Sequence, residues 1–296
     1  MTKFQDFIKS YKPAVDEALV QESSRPDLTK ISSYEKDDDY VSALQYALLT
    51  PGKRLRPLLA LAVLDSFGKK IDEDAVTAAS AIEWVHAYSL VHDDLPEMDN
   101  DAYRRGKLSV HAMYGPALAV LVGDALQGHA YQILSSLKKV SAEQKVQMVS
   151  TLSGRSGAFG MVYGQVLDMQ NHNVGSRVEQ FSILNKVYQM KTADLLVAAA
   201  LIGSQYAGLD QEAQTMVERY AQNLGLLFQI QDDVDDYEQD EEEGVLSLVH
   251  FYGLDESKQL AMNLREQAKK ALAELAAYDA AFDSALLTDL IDLIGA

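Results

Sequence analysis

The chain of 296 residues contains no cysteine. A disulfide framework, a thiolate metal site and a cysteine nucleophile are therefore excluded. The absence fits a reducing cytoplasm, which is where we expect the protein to reside. Basic residues are also scarce, since 26 Lys and Arg oppose 44 Asp and Glu and the formal net charge is −18. Such an acidic chain is not expected to bind nucleic acid or an anionic membrane surface, because both require a basic face.

Long apolar runs are missing as well. The best apolar run extends from Leu195 to Ile202 and is too short to cross a bilayer. The first 20 residues interleave charges with apolar side chains, which is not the pattern of a secretion signal. With 48% hydrophobic residues the chain can nevertheless bury a core. We expect a folded protein without stable membrane insertion.

Proline is absent from the last 180 residues, because all six prolines lie at or before Pro116. Proline is the residue least tolerated inside a helix, so this absence permits long helices. Apolar residues recur at helical spacing, as in Ala75, Ala78, Ala79, Ile82, Val85 and Tyr88. No convincing alternating strand, hairpin turn or interdomain linker is visible. The sequence predicts an all-α protein with a single domain over residues 1–296.

Two acidic runs each continue an apolar helical pattern. Residues 93–101 hold five acids in nine positions, and residues 232–243 hold nine in twelve. Asp232 and Asp236 are four residues apart, which places them on one face of a helix. Pro96 disfavours helix at the residue before it, so Asp93 falls in the last turn, where the helix dipole is already negative.

Carboxylates gathered at such positions repel one another, and a bound cation would reverse the sign of that energy. Oxygen ligands without cysteine point to a hard ion, magnesium before calcium. The calcium EF-hand loop is a poor match, since Tyr237 stands where that loop requires glycine. The alternative interpretation is that both runs are merely solvated helix ends.

Two basic clusters stand out in this acidic chain, PGKRLRP at 51–57 and RRGK at 104–107. Arginine binds phosphate oxygens through a planar fork, often with two hydrogen bonds. Either cluster alone could be a group of surface salt bridges. Two acidic sites and two basic clusters together favour a diphosphate held by metal on one side and by Arg and Lys on the other.

These residues resemble the trans-isoprenyl diphosphate synthases, most closely the bacterial farnesyl diphosphate synthases. The resemblance covers roughly residues 40–255. It rests on blocks that occur in the family's order: PGKRLRP at 51–57, HAYSLVHDDLPEMDNDAYRRGKLSVH at 86–111, GDAL at 123–126, GMVYGQVLDM at 160–169, Lys191-Thr192, and LGLLFQIQDD at 224–233.

The resemblance implies an all-α isoprenoid synthase fold around a central cavity, a homodimer, and Mg²⁺-dependent condensation of isopentenyl diphosphate with an allylic diphosphate. It implies metal binding by Asp93, Asp99, Asp232, Asp233 and Asp236, with Asp94 as companion of the first motif. The implied isopentenyl diphosphate site comprises Lys53, Arg56, His86 and Arg105. The implied allylic diphosphate site comprises Arg104, Lys191 and Thr192, with Gln229 near both substrates. Asp93, Asp94, Lys191 and Asp232 are the expected catalytic group.

Product length is expected to depend on Tyr88, with Ser89 beside it. The resemblance places this residue, five before the first aspartate, in the floor of the chain pocket. A tyrosine there leaves limited depth and predicts a C15 product, farnesyl diphosphate. The alternatives are that Tyr88 is simply a core aromatic, or that the product is geranylgeranyl diphosphate.

The chain departs from the family after its second acidic motif. The family usually has Gly-Lys there, whereas this chain has Gly244-Val245, and no Lys or Arg occurs from residue 220 to 257. The acidic segment 238–243 is predicted to be a closing loop. The missing cations suggest weaker allylic binding, or a degenerate, non-catalytic partner of an active synthase. A terpene cyclase is a further alternative, which the isopentenyl diphosphate residues oppose.

Overall fold

The computed structural model describes residues 2–26, 38–171, 176–237 and 247–294. The segment 238–243, for which a closing loop is predicted, lies outside these ranges, and so does Val245. Within the described ranges, no helix combines the length and apolar character that crossing a bilayer requires.

The predicted all-α class is confirmed. The helices are α1 (Lys3–Ser23), α2 (Asp38–Leu48), α3 (Leu55–Ser66), α4 (Glu73–Asp93), α5 (Val110–Tyr114), α6 (Pro116–Ser136), α7 (Ala142–Ser156), α8 (Met161–Asn171), α9 (Arg177–Val187), α10 (Asp194–Tyr206), α11 (Gln211–Asp235), α12 (Leu248–Tyr252), α13 (Leu254–Tyr278) and α14 (Ala285–Ile294). A π-helical turn, Tyr188–Ala193, joins α9 to α10.

A small hairpin is the one departure from the all-helical prediction within the described residues. Strand β1 (Tyr103–Arg104) pairs antiparallel with β2 (Lys107–Leu108). The two turn residues, Arg105 and Gly106, have φ of 53° and 76°. Positive φ at both positions is typical of the type I′ turn that closes two-residue hairpins. Strands of two residues are too short to show an alternating pattern, so no sequence signal predicts them.

Helices α4 and α10 form the centre of the molecule. Asp72 caps α4, because its side chain accepts a hydrogen bond of 3.0 Å from the backbone N–H of Ala75. Trp84 of α4 is fully buried, and α10 is buried continuously from Leu195 to Gln205. A helix that is apolar on every face belongs in the interior of a protein. The core therefore surrounds these two helices.

The charged end of α4 lies near an irregular part of another helix. The periodicity predicts one α-helix over residues 186–202, whereas the structure has a π-helical turn there before α10 begins. Such π-helical turns occur frequently at functional sites. Both α8 and α11 pack against this turn. The fold thus gathers the end of α4, the end of α11 and the residues of the π-helical turn.

Candidate active site

A cavity of about 390 Å³ opens between α4, α8 and the π-helical turn. Its wall is largely apolar and includes Met161, Val162, Val166, Met169 and Leu195. Charged and polar side chains from the predicted site line the same cavity, namely Arg56, His86, Asp93, Lys191 and Thr192. The cavity can therefore accept a molecule with one hydrocarbon end and one anionic end.

The first acidic motif begins at the last residue of α4. Asp93 lines the cavity, and the backbone N–H of Asp99 donates to the Asp93 carbonyl oxygen at 2.9 Å. This bond folds the following loop back, so that both aspartates lie close together. Burial raises the pKa of Asp93 to about 6, with Asp99 contributing in the same direction and Lys191 opposing it. Burial also raises the pKa of Asp99.

Lys191 lies on the π-helical turn and faces this motif. Its Nζ is 2.8 Å from Oδ2 of Asp168 on α8. Burial acts to lower the pKa of Lys191, but the carboxylates of Asp168, Asp93 and Asp99 outweigh it and the net shift is upward. Lys191 therefore stays cationic beside the acidic motif. Asp168 is absent from the residues that the sequence singles out, although it lies within the family block 160–169.

The close approach of α8 to the π-helical turn depends on a glycine. A Cβ atom at Gly164 would lie 2.5 Å from the backbone nitrogen of Lys191. A side chain there would thus push α8 away from the turn, since interiors pack without such overlap. This contact fixes the distance between the apolar wall and the lysine.

The second acidic motif lies at the end of α11. Desolvation, together with repulsion from Asp236 and Asp233, raises the pKa of Asp232 to about 6, and Lys53 opposes the shift. The charge of Asp232 also acts on Arg56 of α3. The structure therefore brings the second motif within electrostatic range of the first basic cluster.

The aspartates of the second motif differ in their surroundings. Asp233 is buried, and its Oδ1 accepts a hydrogen bond of 2.9 Å from Gln229 Nε2. Its Oδ2 accepts a hydrogen bond from the hydroxyl of Tyr188. Gln229 Oε1 in turn accepts from Thr192 Oγ1 at 2.8 Å. Protein donors thus set the orientation of Asp233, whose predicted role as a metal ligand stays a prediction.

Two of the four predicted isopentenyl diphosphate residues, Arg56 and His86, lie next to each other in the wall of the cavity. Arg56 Nη1 lies 3.5 Å from His86 Nε2. The Nε of Arg56 is buried and has no hydrogen-bond partner within the described part of the chain. Burial, with the positive charges of Arg56 and Arg105, holds the pKa of His86 well below its usual value, so this imidazole is neutral at pH 7. Lys53 is exposed.

Arg54 and Arg104 of the basic clusters are bound by protein carboxylates, whereas Arg105 donates to the carbonyl oxygen of Pro51 at 3.3 Å. Arg54 adopts a left-handed backbone with φ 54° and forms ion pairs with Glu83 at 2.7 Å and Asp16 at 2.8 Å. It therefore ties α1 to α4 and contributes no free charge to the cavity. Arg104 donates to the buried Asp94 and, at 3.1 Å, to Asp101. In this structure Arg104 and Asp94 thus satisfy each other.

Tyr88 and Ser89 both line the cavity, as the predicted chain-length role requires. Tyr88 is buried, which raises the pKa of its hydroxyl, and the side chain of Gln127 on α6 acts in the opposite direction. Its ring meets His92 edge-on with centroids 5.5 Å apart. Ser89 Oγ donates to the carbonyl oxygen of His86 at 3.0 Å. A buried aromatic ring therefore forms part of the cavity wall.

The donor set fits a hard divalent cation. Among the described residues, no three acidic or histidine side chains converge into a ready-made metal cluster. The two motifs nevertheless supply carboxylates whose pKa values are raised, to about 6 at Asp93 and Asp232. Bringing a cation near them would relieve both desolvation and mutual repulsion. Oxygen ligands of this kind suit Mg²⁺, which commonly uses one or two carboxylates together with substrate phosphates.

Comparison with known proteins identifies relatives of the chain. A farnesyl diphosphate synthase of Bacillus subtilis is 36% identical over 242 residues, which are 81% of this chain and 78% of that protein. A geranylgeranyl diphosphate synthase of Cyanophora paradoxa is 38% identical, over 78% of this chain and 80% of its own. The crystal structure of an FPP/GFPP synthase from Zymomonas mobilis has a TM-score of 0.83 at 30% identity, covering 99% of both chains.

The family profile described as Polyprenyl synthetase matches residues 38–272. This range contains the cavity and both acidic motifs. The match covers most of the chain, and the expected resemblance is thereby confirmed: the chain belongs to the polyprenyl synthetase family.

Proposed function

We propose that the chain is a magnesium-dependent prenyltransferase that condenses isopentenyl diphosphate with dimethylallyl or geranyl diphosphate. The observation that carries the proposal is a single cavity with an apolar wall and a rim that holds charges of both signs. The wall suits a hydrocarbon chain, and the rim suits the diphosphate at its end.

The allylic diphosphate would lie between the two acidic motifs. Asp93 and Asp99 on one side, and Asp232 and Asp236 on the other, would hold Mg²⁺, with Asp233 oriented beside them. Bound Mg²⁺ would neutralise the diphosphate and the negative charge that develops on it as it leaves. Lys191, cationic and held by Asp168 at 2.8 Å, would contact the same oxygens.

Thr192 and Gln229 complete the allylic side. Their side chains are hydrogen-bonded to each other, which fixes the Gln229 amide next to the π-helical turn. Arg104, assigned to this side by the family resemblance, would have to exchange Asp94 for the diphosphate. Because Asp94 is buried, that exchange would leave a desolvated carboxylate and would be unfavourable without a cation nearby.

Isopentenyl diphosphate would occupy the opposite side of the rim. The buried Nε of Arg56 has no hydrogen-bond partner among the described residues, and a diphosphate oxygen would satisfy it. Neutral His86 would donate one hydrogen bond, while Lys53 and Arg105 would supply further positive charge. Arg56 and His86, which lie on α3 and α4 with 3.5 Å between Nη1 and Nε2, would bind this diphosphate, whereas Lys191 and Thr192 of the π-helical turn would bind the allylic one.

The proposed reaction begins when the allylic C–O bond breaks and its electron pair leaves with the diphosphate. The double bond of isopentenyl diphosphate then attacks the allylic cation, and the new cation loses a proton to the departed diphosphate. Lys191 and Arg56 stabilise the negative charge on the diphosphates, so that water is not needed for this role. The apolar wall excludes water that would otherwise quench the cation.

We propose farnesyl diphosphate as the product, because the buried ring of Tyr88 lines the cavity and would limit the room for a longer chain. Geranylgeranyl diphosphate is the second candidate, since relatives with that name match about as well as those named for the C15 product. Product length is read directly by chromatography of the dephosphorylated reaction mixture.

We also propose that the protein is a homodimer in the cytoplasm. Helices α5 and α6 carry large apolar side chains that are exposed in the single chain, including Met113, Val120 and Leu121. Exposed apolar groups of this kind are typical of protein interfaces. Light scattering coupled to size exclusion tests the dimer, and Leu121→Glu should shift the mass to that of one chain.

The decisive experiment incubates purified protein with labelled isopentenyl diphosphate, each allylic primer in turn, and Mg²⁺. The expected result is a C15 diphosphate whose formation stops when a chelator removes the metal. A hydrocarbon formed from the allylic diphosphate alone would support a cyclase instead. If no primer yields a condensed product, the proposal is wrong and a non-catalytic partner becomes the better interpretation.

A further inference from the structure

We infer that Tyr188 is a positioning residue for the second acidic motif, an inference that rests on the function proposed above. Tyr188 is the first residue of the π-helical turn and is only 5% exposed. Its hydroxyl donates to Oδ2 of Asp233 and accepts a hydrogen bond of 3.0 Å from the backbone N–H of Leu248. The residue thus joins three segments that are distant in the chain.

The Tyr188 hydroxyl binds one of the two oxygens of a carboxylate that is almost completely buried. Asp233 is 6% exposed, and its other oxygen accepts the hydrogen bond from Gln229. A buried carboxylate oxygen without a donor is costly, so both donors favour one orientation of this side chain. Asp232 precedes Asp233 in the same helical turn, and Asp236 follows one turn later at the end of α11. Holding Asp233 therefore also holds the backbone that carries the two proposed metal ligands.

The contacts form a closed loop between α11 and the π-helical turn. Tyr188 binds Asp233, Asp233 binds Gln229, and Gln229 binds Thr192, which returns to the turn four residues after Tyr188. Two attachments to the same turn restrict both sliding and rotation of α11 against it. Lys191 lies between the two attachment points. Tyr188 thereby sets the distance between this lysine and the second acidic motif.

Removing the hydroxyl alone is the appropriate perturbation. Tyr188→Phe keeps the ring and its packing but deprives Asp233 of a donor and the Leu248 N–H of an acceptor. Tyr220→Phe is the matched control: Tyr220 is fully buried, and its hydroxyl donates to the carbonyl oxygen of Leu287 at 3.2 Å. The control removes a buried hydroxyl from α11, the helix that carries the second acidic motif, without touching that motif or the π-helical turn.

Two measurements compare both variants with the wild type. The first is the Mg²⁺ concentration that gives half-maximal turnover with isopentenyl and geranyl diphosphates, determined together with KM and kcat. The second needs no turnover: it is the rise in Tm on adding Mg²⁺ with inorganic diphosphate. Loss of a group that orients metal ligands typically weakens metal binding by about tenfold or more. We expect that increase in the Mg²⁺ requirement, and a smaller rise in Tm, for Tyr188→Phe only.

The outcomes separate this inference from the proposed function. If Tyr188→Phe matches Tyr220→Phe in Mg²⁺ requirement and in the Tm rise, Tyr188 is an ordinary core residue and the inference is overturned. If the wild type forms no product, the proposed function fails, yet the Tm rise still distinguishes the two variants. If Mg²⁺ and diphosphate do not raise the wild-type Tm, there is no metal site for Tyr188 to organise, and the inference fails as well.

Discussion

Replacing Tyr88 by alanine should lengthen the product from C15 to C20 or beyond. The ring lines the cavity of about 390 Å³ and makes an edge-on contact with His92. Three backbone bonds of an extended polypeptide span at most about 3.6 Å, so the four chain bonds of one isoprene unit span about 5 Å. A phenol side chain is about as long as that unit, and its removal therefore makes room for at least one more addition.

The same substitution should destabilise the protein without unfolding it. Deleting a buried aromatic side chain costs about 3–5 kcal/mol, and we expect the low end because the ring already faces a cavity. The matched control is Tyr88→Phe, which keeps the ring and loses only the hydroxyl. This control should make the wild-type product.

The assay extracts the products of labelled isopentenyl diphosphate with geranyl diphosphate, removes the phosphates and separates the alcohols by chain length. A thermal melt run alongside shows that each variant is folded. If folded Tyr88→Ala still stops at C15 at a similar rate, other residues or a partner subunit close the cavity. The choice of farnesyl over geranylgeranyl diphosphate would then lose its basis.

Three further predictions concern the charged rim and its support. Asp93→Ala and Asp232→Ala should each lower kcat by at least about 100-fold, which is the scale of losing one strong transition-state contact. Steady-state kinetics measure this loss. Near-normal rates would mean that both motifs are merely solvated helix ends. Asp168→Asn removes the carboxylate paired with the lysine of the π-helical turn. It should raise KM for the allylic diphosphate by about five- to tenfold, as expected for a lost charge-assisted hydrogen bond, with KM for isopentenyl diphosphate unchanged. Gly164→Ala places a Cβ 2.5 Å from a backbone nitrogen of that turn and should lower both turnover and stability, the latter by about 1–3 kcal/mol in denaturant titration. Gly154→Ala, where a Cβ meets nothing within 4 Å, is its control and should leave turnover unchanged.

The helices and most of the chemical residues follow from local rules that a sequence displays directly. Pro96 and the apolar spacing are enough to predict that α4 ends near Asp93, which is its last residue in the structure. His86 and Asp93 are seven residues apart, and both line the cavity because that spacing returns to the same face of a helix. The resemblance of the sequence blocks to the family then indicated which substrates such a face would bind. The two-residue strands and the π-helical turn were missed, because neither leaves a periodic pattern of its own.

By itself, then, the sequence determined the fold class, the family and the cluster of charged residues, since these depend on spacing and residue type. Only the tertiary structure decided which charges are free and which are bound to one another. Arg54 and Arg56 are near neighbours in one basic cluster, yet Arg54 forms an ion pair with Glu83 while Arg56 lines the cavity. The pairs Lys191–Asp168 and Tyr188–Asp233 join residues 23 and 45 positions apart. Such partners, and the pKa values that burial and neighbouring charges impose, arise only when distant segments meet in a desolvated interior.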